Sequence, residues 1–119
     1  MIERIDANPR ASRVVLHGDM IYLKGLGPSD RTTGIKDQTR QVLSQIEKLL
    51  LDHGSDKKHM LSAMIHLQDI RERPAMNEVW EAWLGGADHP ARTTVGAVLA
   101  DPASRIEITV TAVKHAVVK

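Results

Sequence analysis

The 119-residue chain contains no cysteine. Without thiols it can form no disulfide, present no thiolate nucleophile and offer no cysteine ligand to a metal. Phenylalanine is also absent, and Tyr22, Trp80 and Trp83 are its aromatic residues. So few rings make a poor stacking platform for single-stranded nucleic acid. Neither sign of charge prevails. Sixteen Lys and Arg against 15 Asp and Glu give a formal net charge of +1. No long-range field therefore gathers nucleic acid or an anionic membrane. The apolar runs are too short to span a bilayer. The N-terminus is charged from Glu3 and lacks the apolar stretch of a secretory signal. These absences predict a soluble cytoplasmic protein with no nucleic-acid or membrane partner.

What is present suits a packed domain. The hydrophobic fraction is 42% and the charged fraction 26%, which predicts a single domain over residues 1–119. Residues 2–5 read as a short edge strand broken by Asn8-Pro9. Residues 12–17 and 20–24 read as two strands around Gly18-Asp19. Gly25, Gly27 and Pro28 end the second. A helix is expected next, capped by Thr32 or Thr33. Its apolar stripe is Ile35, Val42, Leu43, Ile46, Leu49 and Leu50, with a stop at His53-Gly54. Residues 60–69 alternate: Leu61, Ala63, Ile65 and Leu67 form an apolar face opposite Ser62, Met64, His66 and Gln68. A second helix has Pro74 near its start and ends at Gly85-Gly86. Residues 91–100 and 105–114 are rich in Thr and Val and read as a hairpin. The order predicts an α+β sandwich, with two helices on one face of a single mixed sheet. The other face carries Ser62, Met64, Thr109, Thr111 and Val113. That mixture is too apolar for water, so a closed homo-oligomer, dimer or trimer, is expected.

Several chemistries find no support. Ser44, Ser62 and Ser104 lack a nucleophile elbow. Gly25 to Pro28 is too short for a phosphate loop. His53, His59, His66, His89 and His115 are scattered over different elements, with no HxxxH pair and no supporting carboxylate at metal spacing, so no metal is expected. Three polar residues stand out instead. Arg92 begins a β-run among small residues (Thr93, Thr94, Gly96), which leaves room beside its fork for a carboxylate; a strand-end ion pair is the plainer alternative. Glu107 interrupts an Ile/Thr/Val strand and faces away from Ile106 and Ile108. It would orient a water there, or serve as an edge charge that deters aggregation. In a hairpin, Arg92 and Glu107 would share one cleft or form a salt bridge. Asn77, in the first turn of helix two, would contact a ligand or cap locally.

These residues fall in runs that resemble a known family. Met76 to Trp83 (MNEVWEAW) is similar to the helix-two pattern of the Rid (reactive intermediate deaminase, YjgF-type) family. His89 to Val95 (HPARTTV) resembles its P-x-R-[ST]-x-V signature, and Arg105 to Ile108 (RIEI) its [KR]-[IV]-E-[IV] strand. Gly18 to Gly25 resembles the early strand that ends in Ser/Thr-Gly. The likeness covers nearly the whole chain, and the short N-terminus and Trp-rich helix look like the YoaB-type branch. It implies a chorismate-mutase-like fold and a homotrimer with clefts between subunits. It also implies cofactor-independent hydrolysis of 2-aminoacrylate-type imino acids to 2-keto acids and ammonia. In that reading Arg92 clamps the substrate carboxylate and Glu107 holds the water. The Thr94 amide polarises the substrate, Asn77 supports the pocket wall, and Lys24 and Gly25 border it. Two positions depart from the family pattern. Ala11 stands where an aromatic is common, and Lys24 replaces the hydroxyl before Gly25. Lys24 would anchor a second carboxylate or close the pocket. Two further readings compete: a pathway-specific deaminase or hydrolase acting on a larger acid, and a non-catalytic trimeric module that binds small carboxylates or protein.

Overall fold

The computed structural model describes residues 1–115. Six strands form one sheet: β1 (Ile2–Ile5), β2 (Val14–His17), β3 (Met20–Leu23), β4 (Met60–Leu67), β5 (Ala91–Gly96) and β6 (Ile106–Val113). Their spatial order is β1-β2-β3-β6-β4-β5. Neighbours run antiparallel except β4 and β5, which are parallel. Helices α1 (Ile35–Asp52) and α2 (Arg73–Leu84) cover one face. This mixed sheet with its two helices is the expected chorismate-mutase-like α+β fold.

The core follows from periodicity. Ile35, Val42, Leu43, Ile46, Leu49 and Leu50 are buried on α1, three and four residues apart. Opposite them lie Ala63, Ile65 and Leu67 of β4 and Ile106, Ile108, Val110 and Ala112 of β6, spaced by two. Met76, Val79, Trp80 and Leu84 complete the core from α2. Pro74 sits in the first turn of α2, where its missing N–H costs nothing. Gly85 ends that helix at φ 81°, a conformation that suits glycine. His53 and Gly54 end α1, with Gly54 at φ 78°.

Three expectations are corrected. First, residues 91–113 form no hairpin, because β4 lies between β5 and β6. The connection from Ala97 to Arg105 instead carries the chain past β4 to its other side. Second, neither Thr32 nor Thr33 caps α1. Their hydroxyls donate to Asp30 (Oδ1, 2.6 Å, and the carbonyl, 3.5 Å), and Gly34 takes the N-cap position with no side-chain bond. Third, Leu61 does not join the apolar face. An irregularity between Met60 and Ser62 breaks the ladder with β6, so Met60 is buried and Leu61 is exposed.

The loop after β5 is clamped by two glutamines. Gln38 is fully buried on α1. Its Nε2 donates to the carbonyls of Thr33 (2.9 Å) and Ala103 (3.1 Å), and its Oε1 accepts from the Arg105 amide (2.8 Å). Gln68 accepts from the Leu99 amide (3.2 Å) and donates to the Ser104 carbonyl (3.2 Å). Arg105 adds a two-pronged contact to Glu72, with Nε 2.7 Å from Oε1.

Candidate functional site

Register decides which faces the polar residues occupy. Arg92 pairs with Ala63, which pairs with the buried Val110, so all three point toward the helices. Glu107 pairs with His66, which pairs with Val95, so these three lie on the opposite, open face. Arg92 and Glu107 of one chain therefore share neither a cleft nor a salt bridge. This overturns the expectation built on a hairpin.

On the helix side, the Arg92 guanidinium lies over the Trp80 ring, 5.4 Å from its centroid. Burial pushes its pKa below the usual arginine value; nearby Glu81 opposes this and Arg73 adds to it. Among the described residues Arg92 makes no ion pair, and the Glu81 charge acts on this half-buried cation only from beyond salt-bridge distance. Thr94 points to the same side two residues on, and its buried hydroxyl oxygen has no partner. Asn77 lies one turn before Trp80 on α2. Its buried Oδ1 is also unpartnered, so the local capping alternative finds no bond here. β5 is an edge strand. The Ala97 amide donates to Leu67 on β4 (2.9 Å). Two-residue alternation turns the Thr93 and Val95 amides the same way and leaves the Thr94 amide at the open edge.

On the open side, Glu107 lies against Gly25. A Cβ at Gly25 would stand 2.8 Å from Glu107 Cδ and 3.1 Å from its Oε1. Glycine is what lets the carboxylate rest on the backbone there. Glu107 lines a cavity of about 190 Å³ with Gly27, Arg31, Leu99, Ala100, Asp101 and Ser104. Arg31 closes one side, with Nε 3.2 Å from both Asp101 Oδ2 and Ser104 Oγ. Lys24, beside Gly25, is exposed and in no ion pair among the described residues. Ala11 is exposed too. His66 lies next to Glu107, as expected for the open face, and its buried Nδ1 has no partner. A second hollow, of about 290 Å³, runs over Ser62, Met64, Ala91, Thr93, Thr109 and Thr111 and reaches Arg92. Ser62 and Thr111 hydrogen-bond within it.

The open face remains apolar in places: Tyr22 is 43%, Met64 40% and Val95 38% exposed. Residues 1–114 match the family described as Endoribonuclease L-PSP. The chain belongs to that family. Its relatives here carry the names RutC, YjgF and Rid. The chain is 39% identical over 111 residues to the RutC family protein YoaB of Escherichia coli, covering 93% of this chain and 96% of that one. A YjgF family member from Neisseria meningitidis has a solved structure that superposes with a TM-score of 0.93 at 40% identity, covering 98% of each chain. A protein of unknown function of the Rid family from Yersinia pestis gives a TM-score of 0.82 at 27% identity over 90% of each chain. The family resemblance carried by the Arg92, Glu107 and Trp80 runs therefore holds for this L-PSP chain. No helix among the described residues is long and apolar enough to cross a membrane.

Proposed function

We propose that this chain hydrolyses small imino acids to 2-keto acids and ammonia, in clefts between the subunits of a homotrimer. The observation that carries the reading is Arg92, a half-buried guanidinium in no ion pair among the described residues, beside the unpartnered Thr94 hydroxyl and the outward Thr94 amide. A planar fork with donors next to it fits a carboxylate. Once that carboxylate is held, the C=N carbon is fixed in place. Water adds to this carbon, the nitrogen gains protons, and the resulting carbinolamine loses ammonia to leave the keto acid. Glu107 is suited to orient and deprotonate the water. Arg92 and Glu107 stand on opposite faces within one chain. A site that uses both must draw them from two copies, and the apolar open face supplies a surface for that association. Asn77 supports the Arg92 side of the cleft. Lys24 and Gly25 border the Glu107 side, where Lys24 favours a substrate with a second anionic group. Imines hydrolyse readily, so positioning and modest acid–base help suffice and no cofactor is invoked.

The test generates imino acids in situ with an amino-acid oxidase and follows keto-acid release. Wild-type protein should accelerate release. Arg92→Ala should lose about 1.5–3 kcal/mol of transition-state binding, roughly 10- to 150-fold in kcat/KM. No acceleration across small, large and dianionic imino acids would overturn the deaminase reading and favour a carboxylate-binding module.

A further inference from the structure

Asp56, His59 and His115 come together at the end of the sheet away from Glu107, and none of them enters the site described above. Asp56 caps the 3₁₀ turn Lys57–His59, its Oδ1 accepting the Lys58 amide at 2.9 Å. His59 closes that turn with Nδ1 2.7 Å from Asp56 Oδ1. His115 arrives just beyond β6, fixed by its amide donating to the Gly54 carbonyl (3.0 Å). Its Nε2 stands 3.0 Å from Asp56 Oδ2. The two imidazoles stack with centroids 4.3 Å apart and 27° between planes. All three donor atoms lie within 4.8 Å of one another.

We propose that Asp56, His59 and His115 form a binding site for one divalent transition-metal ion of the zinc class. The donor set is two imidazole nitrogens and one carboxylate oxygen, which suits borderline ions such as Zn²⁺ rather than Ca²⁺ or Mg²⁺. Bonds of about 2.0–2.2 Å to such an ion place neighbouring donors on the order of 3 Å apart. The His59 and His115 nitrogens already stand 2.7 and 3.0 Å from the two oxygens of that carboxylate, one on each. An ion would take the place of the ring N–H protons that now point at the carboxylate. Backbone contacts hold two of the donors in place: the Lys58 amide fixes Asp56, and the Gly54 carbonyl fixes His115. The adjacent cation is turned away, because Lys57 Nζ is committed to the Trp83 carbonyl (2.7 Å) and lies 3.8 Å from Glu47. His115 is exposed while Asp56 and His59 are partly buried, so one side opens to water, which completes the coordination. The ion would tie the end of β6 to the turn that leads into β4.

The test uses untagged protein stripped with a chelator and then dialysed free of it. Zn²⁺ alone is titrated by calorimetry, and Co²⁺ alone is followed by its visible absorption. One equivalent per chain should bind, and Zn²⁺ at a hundredfold excess over Kd should raise Tm by about 5–10 °C. His115→Gln and Asp56→Asn, checked for native circular dichroism, should each weaken binding at least roughly tenfold and abolish the Tm rise. His89→Gln, outside the cluster, should bind as wild type does. Absence of binding at millimolar Zn²⁺ overturns the proposal, as does binding that survives in both cluster variants. Neither readout depends on imine hydrolysis, so this site and the Arg92 cleft stand or fall separately.

Discussion

At the scale of single residues, Gly25 and Glu107 make the sharpest case. The atom that a Cβ at Gly25 would strike is the end of a flexible side chain, so the backbone need not move. Gly25→Ala should therefore leave Tm nearly unchanged while pushing the Glu107 carboxylate off its seat. Keto-acid release should fall by up to about 100-fold. Glu107→Gln, which keeps the shape and removes the base, should lower kcat by on the order of 100-fold. A Gly25→Ala protein with full activity would show that the position of the carboxylate does not matter. Lys24→Ser should raise kcat/KM for the smallest imino acids relative to dianionic ones; an unchanged ratio would remove Lys24 from substrate choice. The identities of these residues were legible as motifs in the chain. Their relative placement was not, because which face Arg92 occupies depends on its partner strand. The convergence of His59 and His115 was equally hidden. No local spacing rule joins a 3₁₀ turn to the far end of β6.

Among the elements, helices and strand limits could be read from periodicity and glycine stops, since one buried face writes itself into every third or second residue. The pairing of β5 departs from the hairpin expected of the sequence for a physical reason. Two Thr/Val-rich runs joined by Asp101-Pro102 look like neighbours, and composition does not say that a third strand lies between them. β4 keeps β5 and β6 apart, the 97–105 loop carries the chain across it, and the buried Gln38 clamps that loop. It sits in the α1 stripe where periodicity expects an apolar side chain. Gln38→Leu should leave the Ala103 carbonyl and the Arg105 amide without partners. Stability should drop by about 1–3 kcal/mol, read as a lower urea midpoint. An equal or higher midpoint would mean the loop holds its course without the amide.

At the scale of the molecule, the open face sets the expected assembly. Met64 lies on that face beside Thr93 and Thr109 and is 40% exposed in the single chain. If that face met only water, Met64→Glu would change stability by no more than about 0.5 kcal/mol. In a homotrimer it buries three like charges. Sedimentation should then show dissociation to monomers, with imine hydrolysis lost alongside it, whereas a trimer that tolerates the charge would place the subunit contact elsewhere. The α+β class and the uncovered face were foreseeable from the chain, because helices on one side leave the other side's residues unaccounted for.

The strand order bears on how the molecule comes into being. β6 is the last strand among the described residues, yet it alone bridges β3 to β4. A growing chain contains the residues of β1 to β3 and of β4 and β5 before the strand that joins them has been made. Any strand pairing made in that interval would leave β3 and β4 each with an unpaired edge beside apolar side chains. Closure of the sheet must wait for residues 106–113, and it depends on contacts distant in sequence, which makes it slow. Release of the nascent chain before that point would expose the two edges best able to pair with those of another unfinished copy.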